Sequence, residues 1–198
     1  MIWTGGFTGR NYITMAIGNL FTDNVFLRWL RGNSRRHDLA TSMVGLKLGE
    51  RVLQVGLADG VLFAALGGKV GYTGRACGVD DDAEVVARAA RHAERAGVLV
   101  EARHTSYASL PFDDDSFDVA VILQTGGPAT LKGSALGEVQ RVLRAGGRVV
   151  VVGTTAGRPA NAAGADWVGA MASHGFKGSH VLAERDKLVF VEAVKPRA

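Results

Sequence analysis

Between Gln54 and Gly60 the chain reads QVGLADG, and further on it reads GVDDD, with Asp80, Asp81 and Asp82 in a row. Glycines at 56 and 60, with small Ala58 between them, let a backbone bend sharply and come close to a ligand. An acid about twenty residues beyond such a turn is placed to accept hydrogen bonds from both hydroxyls of a ribose. The chemistry these types share is the binding of an adenosine-containing ligand. The dinucleotide pattern G-x-G-x-x-G would need glycine at position 61, which is Val61, whereas G-x-G-x-G is met at its first and last positions. Nicotinamide is disfavoured. A plainer use of the acids is to start the following helix, where negative charge suits the helix dipole.

Other candidates for chemistry are sparse. The segment ILQTGGPAT holds no His, Asp or Glu; its Gln124 and Thr125 either orient a substrate or shape a loop on the cofactor side. Of five histidines, His37 and His104 are the better site candidates, and His92, His174 and His180 read as helical or surface residues. No histidine pair has metal-ligand spacing. Asp113, Asp114 and Asp115 read as a solvated turn rather than a metal cluster. Cys77 is the only cysteine, so an internal disulfide and a multi-cysteine metal site are excluded.

The elements that must position these residues alternate along the chain. RVLQV (51–55), RACGV (75–79), VLVEAR (98–103), FDVAVIL (117–123) and RVVVVG (148–153) are strands by their Val content and their Gly, Asp or Pro borders. Helices are expected over 59–66, 82–97 and 131–147, the last two stopped by glycines. Strands apolar on nearly every residue are buried on both faces, which requires a parallel sheet with helices on each side. HTSYASLPFDDDS, between the third and fourth strands, has no helical pattern and is expected to be a loop at the sheet edge. ADWVGAMASHG is a helix candidate, and HVLAERDKLVFVEAV reads as a hairpin turning at Glu184, Arg185 and Asp186. The head, NYITMAIGNLFTDNVFLRWL and SRRHDLATSMVGL, reads as two helices separated by Gly32 and Asn33. It is expected to be an amphipathic cap over residues 1–47, whose apolar Ile13, Met15, Phe21, Phe26 and Trp29 would line the substrate pocket if it covers the cofactor, with residues 48–198 expected to form the sheet domain.

VLQVGLADG, GVDDDAEVVARAARHAERAG, LPFDDDSFDVAVI and LGEVQRVLRAGGRVVVVG stand in an order and spacing that resembles the class I S-adenosylmethionine-dependent methyltransferases. The resemblance is strongest to the small-molecule group similar to the ubiquinone/menaquinone C-methyltransferases, and it runs from about residue 48 to 153. It implies a Rossmann-like, mostly parallel seven-stranded sheet with helices on both faces and an antiparallel C-terminal hairpin. S-adenosylmethionine is the implied cofactor, with Gly56, Ala58 and Gly60 against its methionine part, Asp80 on the ribose and Asp81 beside the adenine. The resemblance puts Ser106 at the adenine amino group; beside it, aromatic Tyr107 is a candidate to lie along the ring, and Gln124 is a further candidate at the cofactor. Three positions depart from the family. Gln54 stands where an Asp or Glu usually lies near the cofactor's ammonium, and charge-assisted hydrogen bonds are roughly twice as strong as neutral ones. Ala58 replaces a glycine, a change expected to matter little at ordinary φ. Ser106 replaces an Asp but keeps an acceptor oxygen.

The balance of 23 basic and 19 acidic residues gives a net charge of +4. The basic residues are scattered, although Arg28, Arg31, Arg35, Arg36 and His37 follow apolar FLRWL. Contact with a membrane surface is therefore less favoured than a solvated cap face. A nucleic-acid substrate ranks last, since charge alone supports it. No apolar run reaches the roughly 18 residues of a membrane span, and no leader pattern opens the chain, so a cytoplasmic location is expected. The expected function is methyl transfer to a small, apolar or aromatic molecule. The alternative is a methyltransferase-like fold without catalysis, serving as a binding or assembly module.

Overall fold

A computed structural model describes residues 34–124, 135–154 and 160–197. The elements run α1 (Ser34–Val44), β1 (Arg51–Val55), α2 (Val61–Val70), β2 (Arg75–Asp80), α3 (Ala83–Arg95), β3 (Glu101–His104) and β4 (Phe117–Gln124). They continue with α4 (Ala135–Val142), β5 (Leu143–Thr154), α5 (Ala160–Ser173), β6 (Lys177–Arg185) and β7 (Leu188–Val194). The seven strands form one sheet in the order β3-β2-β1-β4-β5-β7-β6. β1 to β5 pair in parallel, and β7 alone runs the opposite way, antiparallel to both β5 and β6.

Burial on both faces explains the near-continuous Val runs. In β1, Val52 belongs to one apolar layer with Phe63 and Leu66 of α2, and Leu53 and Val55 belong to the opposite layer with Leu136 and Val139 of α4 and Trp167 of α5. Alternation along a strand sends successive side chains to opposite faces, so each strand must be apolar throughout to serve two layers. Arg51 opens β1 exposed, and Gln54 is its one polar residue that is fully buried. α1 lies in the first layer through Ala40 and Val44. Its last turn is tied down by Arg148 Nη2, which donates to Val44 O at 3.0 Å and Gly45 O at 2.9 Å. That anchor is at the start of the parallel run of β5, away from the glycine turn. The expected first head helix, with the five pocket-lining residues, lies outside the described residues.

Several borders differ from the sequence expectation. The helix expected over 131–147 ends at Val142, and Leu143 already pairs with Phe117. The third strand begins at Glu101 rather than 98, because Val98 and Val100 pack toward α2 at Gly67. The hairpin turns at Asp186 and Lys187, one step beyond the expected Glu184 to Asp186. Both carry positive φ, 53° and 65°, the two-residue turn whose twist matches its strands. The loop from Thr105 to Ser116 has no helix, as its sequence predicts. Among the described residues no helix is long and apolar enough to cross a membrane.

Candidate functional site

The strand order reverses between β1 and β4, the place where an open α/β sheet leaves a crevice beyond its carboxyl ends. The glycine turn sits there. Gly56 has φ 83°, and a Cβ on it would meet the backbone oxygen of Leu123 in β4 at 2.6 Å. Gly60 has φ 81°, and a Cβ there would lie 2.5 Å from Ala89 Cα in α3. Both positions therefore admit glycine alone, for backbone conformation and for room.

Ala58, between them, has φ 50°. The expectation of an ordinary φ is thus corrected. The chain must pass from the end of β1 into α2 within a few residues, and it does so by alternating left-handed positions at 56, 58 and 60. An L-residue held there costs about 1–2 kcal/mol, so the alanine is a strained substitute for glycine.

Gln54 is bent onto the turn. Its Nε2 donates to Gly56 O at 2.8 Å, and its Oε1 is buried with no hydrogen-bond partner among the described residues. A carboxylate at this position would set two acceptors against each other at Gly56 O. The glutamine amide is therefore part of the turn's construction.

The three consecutive acids are given three different surroundings. Asp82 caps α3, its Oδ1 accepting from Glu84 N at 2.8 Å and Val85 N at 3.4 Å. Asp81 is exposed, and its carbonyl lies 3.2 Å from His104 Nε2. Asp80 is buried at the end of β2, 7% exposed. Its Oδ2 accepts from Leu57 N at 2.8 Å, which fastens it to the glycine turn, and its Oδ1 accepts from Asp82 N at 3.1 Å. Helix initiation is thus served by Asp82 without Asp80. Burial pushes the Asp80 carboxyl above the usual aspartate range, and the two backbone N–H groups partly counter that push. Each carboxylate oxygen retains a lone pair for a further donor.

Tyr107 is half-buried, its ring against the layer that holds Phe117 and Val79. Burial, followed by the negative charge of nearby Asp80, raises its phenol well above the usual range. Ser106 is exposed, and its Oγ accepts from Ala108 N at 3.2 Å within the loop's own turn. Thr105 N donates to Asp80 O at 3.0 Å, which brings this loop alongside the end of β2. Gln124 ends β4 opposite Gly153 of β5. Thr125 lies outside the described residues.

The structure therefore gathers Gln54, Gly56, Ala58, Gly60, Asp80 and Tyr107 around one turn, with Asp81 and Ser106 on the exposed rim beside it. His37 is not in this group: it is buried in α1, and its carbonyl accepts from Thr41 Oγ1. Asp114 pairs with Arg141 and Asp115 with Lys195, so the acidic run is an ion-paired surface turn. Sequence reading passed over Asp59. It is 8% exposed, Oδ1 accepts from Val61 N at 3.1 Å, and Oδ2 is buried without a partner among the described residues. An acid inside the glycine turn itself was the available signal. Arg88 of α3 closes the other side, Nη2 donating to Ala58 O at 3.1 Å.

A family described as a methyltransferase domain matches residues 53–151, half of the chain. The phosphatidylethanolamine N-methyltransferase of Cereibacter sphaeroides is 32% identical over 106 residues, 52% of this chain and 50% of that protein. An uncharacterised 37.1 kDa protein in a Streptomyces fradiae transposon is 36% identical over 107 residues, 52% of this chain and 30% of that one. The chain thus spans half or less of the length of these curated relatives. Among solved structures, an S-adenosylmethionine-dependent methyltransferase from Aquifex aeolicus superposes with a TM-score of 0.73 at 21% identity, over 86% of this chain and 97% of that one. That likeness establishes the fold.

Proposed function

The chain belongs to the S-adenosylmethionine-dependent methyltransferases of class I, and on that premise we propose that it transfers a methyl group to a small, apolar or aromatic acceptor. The cofactor is S-adenosylmethionine, which when bound supplies a methyl group on a positively charged sulfur. The residues present fit that ligand: Gly56 and Gly60 let the turn close tightly against β4 and α3, and on the turn's two arms lie two buried acceptor atoms without donors among the described residues.

In this reading Gly56, Ala58 and Gly60 admit the methionine part, and Gln54 holds the turn open with its amide. Asp80 accepts the ribose hydroxyls, with Tyr107 nearby. Asp81, Ser106 and Gln124 border the same ligand at the adenine and methyl ends. Pre-positioned acceptors place the reacting centre without ordering costs during the reaction, and alignment alone supplies a large part of the rate in a bimolecular transfer. The observation that carries the reading is the Asp80 carboxylate fastened to Leu57 N, because it joins the ribose acceptor to the glycine turn in one rigid unit.

The acceptor class is supported by the apolar head residues Ile13, Met15, Phe21, Phe26 and Trp29, which would line the pocket of a cap over the cofactor. A cytoplasmic location belongs to the same proposal. Incubation with methyl-labelled S-adenosylmethionine and a panel of acceptors tests it. Label recovered in apolar or aromatic small molecules is expected; label confined to RNA, protein or strongly polar metabolites would overturn the acceptor class.

A further inference from the structure

Two buried oxygens near the glycine turn have no donor among the described residues: Gln54 Oε1, in a fully buried side chain, and Asp59 Oδ2, in one that is 8% exposed. A buried acceptor without a partner forfeits the hydrogen bonds it would make to water, and the cost is larger when it is charged. Such atoms recur where a ligand completes the hydrogen bonding. Two of them on the two arms of one turn, one arm being the strand end and the other the helix start, face a common need for a donor.

The two arms differ in what they can offer. Gln54 is neutral, and its amide is oriented by the bond to Gly56 O, so its oxygen is the free end. Asp59 is a carboxylate with one oxygen engaged at Val61 N and the other free. A neutral acceptor and a carboxylate together suit a donor that carries positive charge and more than one N–H. The ammonium of the ligand's methionine part is such a group, and this inference rests on the cofactor reading above.

We infer that Asp59 supplies the negative charge that holds this ammonium, with the Gln54 carbonyl as a second, neutral acceptor. The charge has moved from the strand end to the turn. Position 54 is thereby left free to clamp Gly56, a bond that a carboxylate could not make. Arg88, whose Nη2 donates to Ala58 O and whose Nε is buried without a partner among the described residues, is the competing cation for Asp59. No ion pair joins the two residues among those described.

The test compares two ligands that share the nucleoside and thioether but differ in the amino acid: S-adenosylhomocysteine, which has the ammonium, and methylthioadenosine, which lacks it. Asp59→Asn keeps an oxygen for Val61 N and removes the charge. The variant is expected to bind S-adenosylhomocysteine about tenfold or more weakly, the loss of one charge-assisted bond, with less than about a twofold change for methylthioadenosine. Asp59→Ser, which also retains a capping oxygen, is expected to show the same selectivity if the first variant folds poorly. Equal weakening for both ligands, as when Asp59 only braces the turn or pairs with Arg88, would overturn the inference. So would unchanged affinity for both. If neither ligand binds the unaltered protein, the cofactor reading itself falls and takes this assignment with it.

Discussion

Ala58 shows how one residue's conformation decides its meaning. From type alone it is a small residue tolerated in a glycine pattern; at φ 50° it is a strained one. Ala58→Gly is expected to raise stability by about 1 kcal/mol, after allowing for the extra freedom of glycine in the unfolded chain. For a chain of this size that is a rise of about 2–4 °C in Tm, readable by calorimetry, and a fall instead would show that the alanine is not strained. Asp80 yields a pH dependence at the same scale. Its folded pKa is raised, so its proton is held more tightly in the folded state than in the unfolded one. The sign for stability follows: the contribution is fully present below the unfolded pKa and is lost as pH rises through the folded value. Ligand binding responds the other way, because only the charged carboxylate is the strong ribose acceptor. Affinity for S-adenosylhomocysteine is expected to fall as pH drops from neutrality, beginning above the usual aspartate value of about 3.9. Asp80→Asn should be weaker throughout and lack this fall, and parallel curves for the two proteins would remove Asp80 from the site. No sequence signal marked these two states. A φ angle and a buried carboxyl are products of packing, whereas the glycine spacing and the acid after β2 are local and could be read directly.

At the scale of elements, α4 holds the loop that carries Ser106 and Tyr107. Glu138 Oε2 accepts from Leu110 N at 2.8 Å, while Arg141 donates to Phe112 O at 2.8 Å and Leu110 O at 3.1 Å. Arg141 also bonds to Glu138, and this partner holds the Glu138 carboxyl below its ordinary range. That contribution is present above the unfolded pKa and is lost as pH falls through the folded one. Arg141→Met removes the guanidinium from two carbonyls and two carboxylates, those of Glu138 and Asp114. Partial exposure screens the ion pair, so a stability loss of about 1–2 kcal/mol is expected from the hydrogen bonds. Urea unfolding measures it, and weaker cofactor binding should accompany it if the loop positions Tyr107. Unchanged binding in the folded variant would show that the loop does not depend on this anchor. The loop was legible as a loop from HTSYASLPFDDDS, but its anchor was not, because Leu110 and Glu138 are far apart in sequence. Strand borders failed for a related reason: Leu143 to Gly147 look like a helix end, yet pairing with β4 draws Leu143 into the sheet.

Over the whole molecule, the sheet order β3-β2-β1-β4-β5-β7-β6 brings the glycine turn of β1, the acid of β2 and the end of β4 to one crevice. The alternation of Val-rich runs with helical stretches made that architecture readable, since a strand buried on both faces carries its signal in every residue. The antiparallel closing hairpin was readable too, because only two residues separate its strands. The head is where sequence assigned the acceptor pocket. We propose that this crevice holds S-adenosylmethionine or its demethylated product. Calorimetric titration of the protein with S-adenosylhomocysteine tests this without an acceptor or turnover. Saturable binding in the micromolar range, at one site per chain, is the result expected; no binding even at millimolar ligand would contradict the account.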